Sequence, residues 1–102
     1  MSVSTEQRDG IAMFEQAIDE VKRLVETGYI EEHEISFEAD RFVPEYDKPL
    51  SLMTMFTGGL SCSGIDGEDV SVAWQNSETA SGFMRAAIIS AIECRVYADL
   101  DL

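Results

Sequence analysis

Glu31-Glu32-His33-Glu34 places the chain's single histidine among three carboxylates. These are the residue types that hold divalent metals or move protons. Metal sites built from them use defined spacings, such as two histidines four residues apart on one helix face. One imidazole in an unbroken charge run has no such spacing, so the run reads as a solvated turn and no metal is expected. Gly58-Gly59-Leu60-Ser61-Cys62-Ser63-Gly64 is the second candidate. It lacks the Gly-Lys-Ser/Thr ending of a phosphate loop. A nucleophile elbow needs glycine two residues after the serine, and Cys62-Ser63 follow Ser61 instead. Asp66-Gly67-Glu68-Asp69 is too short for a calcium loop. Cys62 or Cys94 as a nucleophile would need a base, and His33 is the one imidazole available. Cys94 falls late in an expected helix, where the dipole raises a thiol's pKa. No acid, base and pocket converge, so no catalytic residue, cofactor or enzyme activity is expected.

What remains is charge. Twenty acidic residues face seven basic ones in a chain of 102, a formal net charge of −13. Residues 1–34 carry nine acids and three bases, 35–49 four and two, 50–76 three and none, and 77–102 four and two. Such a surface repels nucleic acid and anionic membranes and attracts basic proteins. A plain solubilising shell would account for it too. The length sets one domain over residues 1–102. No stretch has the length of a membrane span, and the first residues lack an apolar signal core. A cytoplasmic protein with reduced cysteines is therefore expected.

The elements that would carry these charges are read from periodicity. Ser4 and Gln7 fit a capping box. The helix they open places Ile11, Phe14, Ile18, Val21 and Val25 on one stripe, widened by Ala17 and Leu24, with Gly28 as its stop. Alternation over residues 34–39, 50–57, 60–65 and 70–75 predicts four strands. Gly58-Gly59 and Asp66-Gly67 read as hairpin turns between them, and 44–49, with two prolines, as a connecting loop. After a polar break at Asn76-Ser77 a second helix carries Ala80, Phe83, Met84, Ala87, Ile88, Ala91, Ile92 and Val96 on its apolar face. The expected fold is α+β in the order α-β-β-β-β-α, two helices packed on a small, mainly antiparallel sheet. Leu50, Leu52, Phe56, Val70, Val72 and Trp74 would then face the helices, and Met53 and Met55 would face away.

The element order resembles that of the double-stranded-RNA-binding domain. That family carries a basic cluster at the start of its second helix. Here Glu78-Thr79-Ala80-Ser81-Gly82-Phe83-Met84-Arg85 holds one cation, so nucleic-acid binding is not implied. Val70-Ser71-Val72-Ala73-Trp74 followed by Met84-Arg85-Ala86-Ala87-Ile88-Ile89 is similar to small phage-encoded αβ sandwich proteins. That resemblance implies a phage accessory or anti-defence protein acting in the host cytoplasm.

The −13 charge and the compact size predict a non-enzymatic interaction protein. It would occupy a basic, nucleic-acid-binding site on a protein complex, as anti-CRISPR or anti-restriction proteins do. Glu15, Asp19, Glu20, Glu26, Glu31, Glu32 and Glu34 would present the carboxylates. The alternative is an immunity protein or acidic chaperone that binds through the Met53 and Met55 face, which would also serve a homodimer.

Overall fold

The computed structural model describes residues 5–45, 47–62 and 64–102. Five α-helices follow one another: α1 (Thr5–Glu26), α2 (Ile35–Asp40), α3 (Pro49–Ser61), α4 (Gly67–Gln75) and α5 (Ala80–Asp99). A 3-10 turn over Glu32–Glu34 leads into α2. Among the described residues there is no strand, so the expected α+β sandwich is replaced by an all-helical fold.

The two outer helices form where their stripes place them. Phe14, Ala17, Ile18 and Val21 of α1 are buried, as are Ala87, Ile88, Ala91, Ile92 and Val96 of α5. α1 stops at Gly28, whose φ of 80° is a left-handed conformation that glycine adopts without steric cost. The Gly28 and Tyr29 amides then close back onto the carbonyls of Val25 and Leu24. Ser4, the cap of the expected capping pair, lies outside the described residues, as does the side chain of Gln7. α5 begins later than the polar break suggests. Thr79 is its N-cap, its hydroxyl accepting the Gly82 amide at 3.0 Å.

All four expected strands are corrected to helix or turn, each for a local reason. Of residues 34–39, Glu34 ends the 3-10 turn and the rest lie in α2, in which Ile35, Glu38 and Ala39 are buried and Phe37 is exposed. That is a spacing of three and four, not two. Residues 50–57 lie in α3, which opens on Pro49 at its first turn, where a fixed φ favours the helix. Its buried positions are Leu52, Met55, Gly58 and Gly59, which share one helical face. The Gly58-Gly59 pair is not a hairpin turn but the inner surface of this helix. Of residues 60–65, Leu60 and Ser61 end α3, Cys62 is its cap, and Gly64 and Ile65 form a bend. Residues 70–75 lie in α4, where Asp66 is no hairpin residue but the N-cap. Its Oδ1 accepts the Asp69 amide at 2.9 Å, and Asp69 Oδ2 accepts the Asp66 amide at 3.4 Å.

α5 packs on all four other helices, and α1 lies along α3. The core between them includes Phe14, Ile18, Val21, Ile35, Leu52, Met55, Ile88, Ile92 and Val96, all fully buried. Each such side chain contributes about 1.5–3 kcal/mol of burial. Gly59 and Gly64 make room for the side chains of Ile65 and Phe14, which would collide with a Cβ at either position.

One buried charge ties the irregular segment after α2 to this core. Arg85 of α5 is 6% exposed. Its Nη2 donates to Asp40 Oδ1 at 2.7 Å and to the Asp40 carbonyl at 2.8 Å, and its Nε donates to the same carboxylate at 3.1 Å. Nη1 donates to the carbonyl of Val43 at 3.0 Å and to that of Pro44. The guanidinium fork therefore gives donors to the Val43 and Pro44 carbonyls beyond α2 and a second donor to the Asp40 carbonyl, which also accepts the Val43 amide.

Candidate protein-binding surface

The carboxylates expected to meet a partner divide into two groups. Those in the body of α1 are matched within the chain. Glu15 accepts from Arg95 at 3.3 and 3.4 Å, Glu20 pairs with Arg23 at 2.5 Å, and Asp19 stands 3.9 Å from Lys22. Exposed pairs of this kind contribute little to stability, but they cancel much of the local field. Glu26, Glu31, Glu32 and Glu34 form the second group, at the end of α1 and the start of α2. Between residues 26 and 37 there is no lysine or arginine. Glu26 and Glu32 have no ion-pair partner among the described residues. Glu31 stands 3.3 Å from His33 Nδ1, and Glu34 Oε1 accepts the Glu31 amide at 3.0 Å. The C-terminal end of α1 adds its own partial negative charge here.

Two aromatic rings stand in the same segment. Tyr29 is 82% and Phe37 71% exposed. Reading residues 34–39 with a period of two hides Phe37 on the core side; a period of 3.6 from Ile35 and Ala39 turns it outward. Tyr29 follows the glycine stop directly, a position that leads the chain away from α1.

The ligand atoms of Glu31, His33 and Glu34 lie within 4.8 Å of one another. All three side chains are exposed or half-exposed, and nothing else in the structure points to a cation there, so the group is assigned no metal role.

The two methionines expected on one face separate. Met53 is exposed, whereas Met55 is fully buried in the core and offers no surface. Two residues apart on a strand share a face; two apart on a helix differ by about 200°. Leu50 and Trp74, expected to face the helices, are exposed for the same reason.

The thiols have separate surroundings. Cys62 Sγ donates to the Gly59 carbonyl at 3.5 Å. Cys94 is exposed beside an acidic group, and its pKa is raised by partial burial, with Asp69, Glu93, Asp66 and Glu68 adding to the effect. Ser90 donates to Asp69 Oδ1 at 2.8 Å, which ties that cap to α5. Shallow depressions flank Met13 and Phe42 between α1 and the segment before α3, and neither has His33, Cys62 or Cys94 in its wall. No helix among the described residues is long and apolar enough to cross a membrane. Comparison with protein-family models, with curated proteins and with solved structures returned no match.

Proposed function

We propose that this is a non-enzymatic interaction protein that docks the corner formed by residues 26–37 against a basic protein surface. The partner class that best suits it is a nucleic-acid-handling protein, whose phosphate-binding groove the carboxylates would fill. The supporting observation is local: Glu26, Glu31, Glu32 and Glu34 stand with no neighbouring lysine or arginine in the segment, beside exposed Tyr29 and Phe37. Carboxylates of this kind steer and orient a cationic partner. Exposed rings add stacking and cation–π contact with arginine. The carboxylates in the body of α1, already matched by Arg95, Lys22 and Arg23, contribute only to the long-range field.

The test uses an arginine-rich peptide as probe and two variants of equal charge. E31Q/E32Q/E34Q removes the corner's charge, while the side-chain amide oxygen introduced by E34Q can still accept the backbone N–H of residue 31. E45Q/D47N/E78Q removes three exposed carboxylates elsewhere. The corner variant is expected to bind about tenfold more weakly or worse, and the control to change by no more than about twofold, with wild-type binding falling steeply as salt rises. Equal losses in both variants, or wild-type binding indifferent to salt, would refute the reading.

A further inference from the structure

The charge on this molecule leaves one region bare. α3 contains no charged residue, and neither do residues 70–77 of α4 and the turn after it. In α5, residues 80–92 include one charge, Arg85, which is buried against Asp40. The outer surface of these three elements is apolar at its centre. Phe56 of α3 packs edge-on against Phe83 of α5, with ring centroids 5.4 Å apart. Phe83 in turn holds Trp74 of α4 edge-on at 5.5 Å. Met53 and Leu60, one turn to either side of Phe56 on α3, are exposed. Trp74 is 69% exposed, with one edge of its ring against Phe83.

We infer that this face is a homodimer interface, and that its occupant is a second copy of the same chain. The argument is electrostatic. Two copies, each carrying −13, repel one another in almost every mutual orientation. Contact through α3, residues 70–77 and the first half of α5 sets no carboxylate of those segments against another. A basic partner would gain nothing from a face that has no charge to offer it. Trp74, Met53 and Leu60 are 69%, 50% and 45% exposed, so a two-fold pairing through them, with Phe56, Phe83 and the polar neighbours added, reaches the roughly 1,000 Å² that a specific interface must clear. A two-fold axis would set Trp74, Met53 and Leu60 of each copy against the same patch of the other. Trp74, the largest exposed ring of the face and in edge contact with Phe83, is the anchoring residue.

This inference is independent of the acidic corner, and the two respond to salt with opposite sign. Corner binding weakens with salt; self-association strengthens, because salt screens the repulsion between the copies and leaves the apolar contact intact. The experiment is sedimentation equilibrium of the full chain at about 50 mM and about 500 mM salt, a range over which the screening length falls severalfold. A dimer that tightens with salt is expected. The single tryptophan reports on the same event, its emission moving to shorter wavelength as concentration rises. M53E and W74A each alter an exposed side chain, and each is expected to weaken the dimer by about tenfold or more, with the helical circular dichroism unchanged. A wild-type chain that stays monomeric at about 200 µM in high salt, a concentration at which a dimer of micromolar affinity would be populated, overturns the inference and leaves the face to a different protein. A dimer unaffected by both substitutions places the contact elsewhere and overturns it equally.

Discussion

Gly10 of α1 and Gly58 of α3 meet backbone to backbone where the two helices cross, with no side chain between them. A Cβ on Gly58 would fall on the Gly10 backbone, 2.6 Å from its Cα, and one on Gly10 would fall on the Thr54 carbonyl. This close helix pairing therefore depends on two residues that are poor helix formers.

G58A tests that contact. Alanine favours a helix over glycine by about 1 kcal/mol. Here the added methyl must push two backbones apart, so a net destabilisation of about 2–4 kcal/mol is expected. Urea denaturation followed by circular dichroism measures it. A neutral or stabilising result would show that α1 and α3 do not cross at these residues.

G67A is the matched control. Gly67 is the first residue of α4, its φ is not positive, and a Cβ there would meet nothing within 4 Å. The same exchange should stabilise the protein by about 0.5–1 kcal/mol. The opposite signs of the two substitutions distinguish a packing effect from a propensity effect.

Arg85 is expected to be a stability residue. R85M would leave the Asp40 carboxylate and the Val43 and Pro44 carbonyls without this donor, at a cost of about 2–4 kcal/mol. R85K keeps the charge but cannot reproduce the fork, and about 1–2 kcal/mol is expected from the lost donors. Thermal unfolding of both variants checks the order: wild type, then lysine, then methionine.

Cys94 should react slowly. Partial burial and then the charges of Asp69, Glu93, Asp66 and Glu68 raise its pKa, so the thiolate fraction at neutral pH is below that of a free cysteine. The alkylation rate should rise only in a more alkaline range than for a model thiol. E93Q and added salt should each accelerate it by about two- to fivefold, since both reduce the acidic field. The linkage has a definite sign. A pKa higher folded than unfolded favours folding below the unfolded value, and that contribution is lost as pH rises through the folded one. Cys94 therefore lowers stability only toward alkaline pH. Alkylation time courses across pH, for wild type and E93Q, measure both the position of the rise and the charge effect.

The sequence alone determined the elements whose apolar repeat is long. Twenty-two residues of α1 and twenty of α5 supply several turns of three- and four-residue steps, which no strand pattern imitates. It also determined the acidic excess. The middle was not legible in this way. α2, α3 and α4 have six, thirteen and nine residues, and over such lengths Ile35, Phe37 and Ala39, or Val70, Val72 and Trp74, satisfy a period of two as readily as one of 3.6. Glycines decided the error. Gly58-Gly59 reads as a turn because glycine permits positive φ, yet it serves here because it has no Cβ, and the helix that needs the space lies some fifty residues away. Asp66-Gly67 reads as a hairpin because the same pair that turns a strand also caps a helix. Helix geometry separates Met53 from Met55, but only the tertiary structure decides which of the two is buried, and only it matches Glu15 with Arg95 while Glu32 is left unmatched among the described residues. Burial and pairing are set by which helices lie against each other, and that is a property of contacts distant in sequence.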